Sequence, residues 1–357
     1  MIAPSRKLPL AVLGATGLVG QRMVERLVGH PWFDLVELAA SGRSAGRRYA
    51  EAVDWKLPGQ IPAAFADLPV LPAEPGAVSA PIILSALDAA VAGEIEDAFA
   101  DAGRAVISNA RNHRMDPDVP LVTPEVNADH LELIHEQRRR RGGQGFIVTN
   151  PNCTVIALAL ALGPLHRAAG ARRVVVTTLQ AASGAGYPGV PALDLLDNVI
   201  PFIGGEEEKI VAEPPKILGR RDGGRIRNAD IVVSAQVHRV FVLDGHMLSV
   251  SVELERPLDP DAARRVFAEF RGAPQEAGCP SAPAQPIVVV DGRDRPQPRL
   301  DRMAGGGMAI VVGQVRACPA LGLRFEVLGH NTIRGAAGGT LLIAELLAAR
   351  GWTPCSS

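Results

Sequence analysis

Apolar positions in the first third of the chain come in short runs, separated by stretches with helical spacing. Leu8 to Leu13 is the first run, and Asp34 to Ala40, Pro81 to Leu87 and Ala105 to Ser108 follow. Between them Met23, Val24 and Leu27 share one face of a helix over Gln21 to Val28, and Glu94 to Ala102 reads as another helix. Buried strands alternating with helices predict a parallel sheet covered on both faces. Asp129 to Arg141 is a further amphipathic stretch. Its closing Arg138-Arg139-Arg140-Arg141 predicts a solvated helix C-terminus whose cations complement the dipole.

Near residue 150 the pattern changes. The strand-like Gly145 to Val148 runs into the turn Thr149-Asn150-Pro151-Asn152-Cys153, and the Ala- and Leu-rich Val155 to Leu162 predicts a buried helix. Beyond it, Arg172 to Leu179, Ile231 to Val237, Met247 to Leu254 and Met308 to Val315 have β-branched or alternating content. Asp259 to Arg271 and Thr340 to Arg350 read as helices, and Pro274 to Pro286 as a Pro/Ala-rich loop. The fold class expected is α/β: a Rossmann-type parallel-sheet domain (residues 1–150 and 331–357) plus an α+β domain with a mostly antiparallel sheet (151–330). One free face of that sheet needs covering, which predicts a dimer-forming surface.

Composition narrows the classes. A chain of 357 residues has room for two domains, and a net charge of -1 argues against a strongly basic nucleic-acid binder. Four cysteines without a C-x-x-C pair suggest neither a disulfide framework nor a cysteine zinc site, and point to a reducing cytoplasm. Arg6-Lys7 before an apolar run imitates a signal peptide, but no cleavage site follows, and no uncharged run is long enough to span a bilayer.

Candidate chemistry sits at several places. Gly14-Ala15-Thr16-Gly17-Leu18-Val19-Gly20 lies between a strand and a helix, the context in which glycines let a backbone approach a pyrophosphate. At the end of the next strand Ser41, Arg43 and Ser44 stand where an NAD site carries an acid; they suit a 2′-phosphate, so NADP is the expected cofactor. Glu37 lies inside that strand and is less well placed. Cys153 falls at a helix start, where the dipole favours a thiolate; the bland alternative is a buried structural cysteine. His246 follows an Asp244-Gly245 turn, and only partnership with Cys153 lifts it above a structural histidine. Glu206 and Lys209 share a helix side, able to bind an amine and a phosphate, but the spacing alone is better explained as an ordinary charged helix start. The polar loop Asn109 to Met115 carries two arginines suited to an anion; its His113 has no second ligand at helical spacing, and no metal is expected.

Together these segments resemble the aspartate-semialdehyde dehydrogenases, in particular their archaeal and fungal branch. The resemblance runs nearly full length. It rests on the Gly14–Gly20 turn, Ser41 to Gly46, Ser108 to Met115, Asn150-Pro151-Asn152-Cys153-Thr154, Ile200 to Lys209, Asp244-Gly245-His246 and His330 to Gly339. It implies NADPH-dependent reduction of aspartyl 4-phosphate through a thioester on Cys153, with His246 as acid/base and Gln180 orienting the intermediate. By the same resemblance Arg239 forks onto the α-carboxylate, Glu206 takes the α-amino group, Arg114 and Lys209 bind phosphate, and Asn152 belongs to the substrate site. Gly14, Thr16, Gly17, Leu18, Val19, Ser41, Arg43, Ser44, Ser85, Ser183, Gly184 and Asn331 would hold the cofactor. A homodimer or homotetramer is implied. Phe241 and Met247 depart from the family pattern and are expected beside the substrate pocket. They keep open a paralogue acting on another acyl phosphate or on an acyl-CoA such as malonyl-CoA, and Arg239 with Glu206 favours an amino-acid substrate over it. A catalytically silent NADP-binding protein is a third reading, opposed by the presence of Cys153, Gln180 and His246 together.

Overall fold

The computed structural model describes residues 3–42 and 44–354. Its first sheet comprises β1 (Leu8–Leu13), β2 (Phe33–Ala40), β3 (Val70–Pro72), β4 (Ile82–Ser85), β5 (Ala105–Ser108) and β6 (Phe146–Thr149), in the order β3-β2-β1-β4-β5-β6. All its pairings are parallel. Successive residues serve opposite faces, which is why the strands are mostly apolar, with Asp34 and Glu37 of β2 the charged exceptions. Leu10 and Val12 join the core under α1 (Leu18–Arg26) and the closing helix Gly338–Ala349, while Ala11 and Leu13 pack with Phe99 of α2 (Ala89–Asp101). The strand order reverses between β1 and β4, where such a sheet opens a crevice for a dinucleotide.

Helix α1 starts at Leu18, earlier than its apolar spacing suggested, because Gly17 already caps it. The two outer glycines of this turn have steric reasons. Gly14 has φ +71° and a Cβ there would lie 2.5 Å from the Ala86 carbonyl oxygen; at Gly20 it would lie 2.1 Å from that of Gly14. Helix α3 (Leu133–Arg141) is entered through a 3-10 turn, Ala128–Glu132. Its basic end is only half solvated, contrary to expectation. Arg141 pairs with Asp97 and Asp101 of α2, and Arg138 donates to the Trp352 carbonyl, 2.7 Å away. The acids that draw them in stand on another helix, so local spacing could not reveal them.

Helix α4 (Cys153–Ala169) leads from the first sheet to the second and is buried over nearly its whole length. The second sheet contains β7 (Ala171–Gln180) and β8 (Val199–Ile200). Then α5 (Glu206–Ile217), which has Pro214 and Pro215 inside it, and a small hairpin of β9 (Arg220–Asp222) and β10 (Arg225–Arg227) intervene. The sheet continues with β11 (Val232–Val240), β12 (His246–Leu254), β13 (Ile287–Val289), β14 (Ile310–Cys318) and β15 (Gly322–Gly329), helix α6 (Pro260–Glu269) lying between β12 and β13. Its order is β13-β14-β15-β12-β7-β11-β8, antiparallel except for β13–β14 and β7–β11. The inner face packs on α4 and α6 through Val174, Val176, Val250, Phe267 and Phe325. Strand β15 adds to the strands expected; its Leu323, Phe325 and Val327 alternate with Arg324 and Glu326 at strand period. The Pro/Ala-rich loop holds a short helical turn, Ala273–Glu276.

Candidate active site

The carboxyl end of β6, the start of α4 and the ends of β7, β11 and β12 meet at one point. Asn152 caps α4: its Oδ1 accepts from the N–H groups of Thr154 (2.9 Å) and Val155 (3.3 Å), which makes Cys153 the first helical residue. The Cys153 sulfur lies 3.3 Å from His246 Nε2. The ring is turned by the backbone, since the Ala181 N–H donates to His246 Nδ1 at 3.0 Å. With Nδ1 accepting, a neutral imidazole carries its proton on Nε2 and directs it at the sulfur.

Sheet register delivers the remaining groups. Arg239 stands opposite Gln180, and His246 opens the strand on the other side of β7. Arg239 is buried and donates through Nη1 to the Ala181 carbonyl at 2.7 Å; it has no carboxylate partner among the described residues. Glu206, the first residue of α5, accepts at Oε1 from Asn152 Nδ2 (3.0 Å), Gln180 Nε2 (3.2 Å) and Thr154 Oγ1 (3.3 Å). Its Oε2 accepts from Lys209 Nζ at 3.0 Å. Arg114 donates from Nη1 to Glu213 Oε1 (2.9 Å) and from Nη2 to the Asn109 carbonyl (2.8 Å).

Electrostatics here run against the simple helix-start argument. Burial first and Glu206 second push the Cys153 thiol up to about 12, and Arg114, Thr154 and Arg239 offset them only in part. The two N–H groups that would have served a thiolate are already spent on the Asn152 cap. Burial likewise drives His246 down to about 3, so the resting pair is a thiol and a neutral imidazole. Burial opposes ionisation of Glu206, but Lys209 and Asn152 overcome it and hold the carboxyl below its ordinary value.

The pocket is tight. A Cβ on Gly184 would meet Arg239 Nη1 at 2.8 Å and His246 Cε1 at 2.9 Å, and one on Gly335 would meet Cys153 Cβ at 2.8 Å. Cys153, His246, Gln180, Arg239, Glu206, Lys209, Arg114 and Asn152 are thus all assembled around one thiol. Phe241 and Met247 are not. Met247 follows His246 in β12 and faces the other side of the sheet between Leu179 and Leu328, while Phe241 is 63% exposed. Strand alternation overturns the expectation that Met247 crowds the substrate, and Phe241 lies just past the end of β11 with its side chain exposed.

A cleft of about 520 Å³ adjoins at the crevice between β1 and β4. Gly14, Thr16, Gly17, Leu18, Val19 and Ser41 line it as expected, joined by Gln21, Asp54, Lys56, Ala86, Asp88 and Tyr187, which the sequence did not single out. Gly17 opens α1 with little in front of its Cα, so the turn fits a pyrophosphate against the helix N-terminus. Glu37, the acid of the second strand, is taken by the Ser79 and Ala80 N–H groups and the Ser79 hydroxyl. Arg43 lies outside the described residues. Ser44 sits in the turn after Ser41, its N–H on the Ser41 carbonyl, and does not line the cleft. Ser85 is fully buried with its hydroxyl on Glu96, so its side chain is turned away from the cleft. Ser183 donates to Asp244 Oδ1 and accepts from Asn331 Nδ2, both at 2.8 Å, and Asn331 Oδ1 takes the Gly245 N–H, bracing the turn before His246. Among the described residues no His/Cys/Asp/Glu cluster could hold a metal.

Glu213 and Lys216 also belong to this corner of the site, beyond the residues the sequence singled out. Their signal was available as a continuation of the Glu206–Lys209 helix face by two further turns.

Comparison with known proteins gives a consistent result. Residues 9–134 match the model of the semialdehyde dehydrogenase NAD binding domain, and residues 162–334 that of the semialdehyde dehydrogenase dimerisation domain. The chain is 51% identical over 338 residues to an aspartate-semialdehyde dehydrogenase of Archaeoglobus fulgidus, covering 95% of this chain and 97% of that one. To the Schizosaccharomyces pombe enzyme of the same name it is 46% identical over 350 residues, covering 96% and 98%. The crystal structure of aspartate semialdehyde dehydrogenase with NADP from Candida albicans superposes with a TM-score of 0.91 at 41% identity, covering 97% of this chain and 100% of that one.

Proposed function

The chain belongs to the aspartate-semialdehyde dehydrogenase family, and from that premise we propose that it reduces aspartyl 4-phosphate to aspartate 4-semialdehyde with NADPH, releasing phosphate, in the biosynthesis of lysine, threonine and methionine. The observation that carries this reading is a thiol 3.3 Å from an imidazole, flanked by an uncompensated guanidinium, Arg239, and a buried carboxylate, Glu206. An α-amino acid head group offers the complementary carboxylate and ammonium. The surrounding charges are Arg114, Arg239 and Lys209 against Glu206 and Glu213, an excess of cation suited to a substrate that also bears a phosphate.

On this reading Cys153 sulfur attacks the acyl carbon, the bond from that carbon to the phosphate oxygen breaks, and a thioester remains on the enzyme. The free thiol is held protonated by burial and Glu206. A substrate ammonium bound at Glu206 offsets that charge, so binding itself favours the thiolate. Bound NADPH supplies the hydride that reduces the thioester. The thiol proton leaves on the departing phosphate; His246 Nε2–H donates a hydrogen bond first to the sulfur and then to the developing oxyanion, and the thiolate freed when the carbon–sulfur bond breaks takes up one proton from solvent. Gln180 holds Glu206 and, with Asn152, fixes the floor of the pocket. NADP over NAD is supported by Ser41 at the cleft and by the engagement of Glu37 elsewhere.

We further take residues 1–150 with 331–357 as the NADP-binding half and 151–330 as the catalytic and dimerisation half. The outer face of the second sheet, with Val175 and Val232 exposed, suits pairing into a homodimer or homotetramer. A cytoplasmic location is in keeping with thiol chemistry and with the lack, among the described residues, of a helix able to cross a membrane.

The test is NADP reduction in the presence of phosphate or arsenate, offered aspartate, succinate and malonate semialdehydes. We expect turnover with aspartate semialdehyde, lost in Cys153→Ser while NADP binding persists. Turnover that requires CoA in place of phosphate, or survives in Cys153→Ser, would overturn the reading.

A further inference from the structure

Glu213 takes no part in the chemistry above, yet it grips the pocket at two points. It lies two helical turns after Glu206 on the same face of α5 and is 2% exposed. Its Oε1 accepts from Arg114 Nη1 at 2.9 Å, and its Oε2 accepts the N–H of Asn152 at 2.8 Å. Asn152 immediately precedes the nucleophile. One carboxylate therefore has one oxygen on the guanidinium assigned to phosphate and the other on the backbone turn that presents Cys153.

The loop carrying Arg114 is fastened from the same helix face. Lys216 is 3% exposed and donates to the carbonyls of Arg114 (2.7 Å), Asp116 (2.7 Å) and Val119 (2.9 Å). Arg114 Nη2 is fixed on the Asn109 carbonyl at 2.8 Å. The guanidinium thus arrives with its orientation set, and the turn that sets the sulfur shares the same anchor. In a displacement at an acyl phosphate, the carbon under attack and the leaving phosphate are two bonds apart, so the spacing of nucleophile and phosphate site governs the alignment of attack.

We infer that Glu213 is a positioning residue that locks the Arg114 phosphate site to the Cys153 turn, a role that rests on the reading of Arg114 as phosphate binder. Glutamine cannot replace it, because its NH₂ would oppose one of the two N–H donors. Aspartate keeps the charge but is a methylene too short to span both.

The experiment is steady-state kinetics in the phosphate-dependent oxidative direction on Glu213→Gln and Glu213→Asp, with NADP binding measured alongside. Each variant is expected to raise KM for phosphate about tenfold and lower kcat about tenfold, leaving NADP affinity and KM for the aldehyde within twofold. An unchanged phosphate KM in both variants would overturn the inference. So would equal losses in the phosphate, aldehyde and NADP constants, which would mark Glu213 as a general brace, or wild-type kinetics in Glu213→Asp, which would show that charge without reach suffices. If one variant does not fold, the other still decides. Arg114→Gln separates the two claims: a phosphate KM unmoved by it overturns the phosphate-site reading itself, whereas one moved by Arg114→Gln but not by the Glu213 variants overturns only the role of Glu213.

Discussion

Two buried arginines reach the same thiol and are treated in opposite ways. Arg239 is tied only to a backbone carbonyl, so its charge is left open to an incoming carboxylate. Arg114 comes already paired with Glu213, so its charge is partly cancelled while its direction is fixed. The difference matches what each ligand group must do in the proposed reaction. The amino-acid head group has to stay through acylation and reduction, so its corner is built for affinity. Phosphate must leave between the two steps, and its corner is built for aim.

Breaking the open corner has the largest expected effect. Arg239→Lys keeps a cation but loses the planar fork, and kcat/KM for aspartate semialdehyde should fall about a hundredfold, mostly through KM. A KM within twofold of wild type would remove Arg239 from the site. Gly184→Ala sharpens the comparison from beside it, because the added methyl meets both Arg239 Nη1 and His246 Cε1. We expect kcat/KM to drop about tenfold, since a misplacement near 1 Å is costly for aligned groups. Met247→Thr is the control. Its side chain lies across the sheet from the pocket, so kcat/KM should stay within about twofold, and a larger loss would bring the outer face back into consideration.

Much of this arrangement was legible in the chain, and the gaps have physical causes. Strand, glycine turn and helix at residues 8–26 are set by local chemistry and fold as their spacing suggests, apart from a slightly earlier helix start. The Cys153 helix start was equally local. Its thiol pKa was not, because burial and a carboxylate some fifty residues downstream decide it. Glu213 illustrates the same limit: its partner Arg114 is 99 residues away, and no local pattern links them. Met247 was misplaced for a different reason. Strand alternation alone places it opposite His246, and that constraint is present in the sequence itself.

The prolines inside α5 carry a consequence for what holds the end of that helix in place. Pro214 and Pro215 have no N–H, so the last turn of that helix lacks main-chain donors where the carbonyls of Ile210 and Val211 would use them. Left alone, such a turn has little reason to persist, at a local penalty of about 3 kcal/mol or more for an interior proline. It is held instead from outside, by Lys216 on the 114–119 carbonyls and Glu213 on Arg114 and Asn152. The stability of the helix end is thereby coupled to the loop that carries Arg114 and to the turn before Cys153. What the helix lacks in its own main chain it borrows from the phosphate corner, so loosening either should loosen the other.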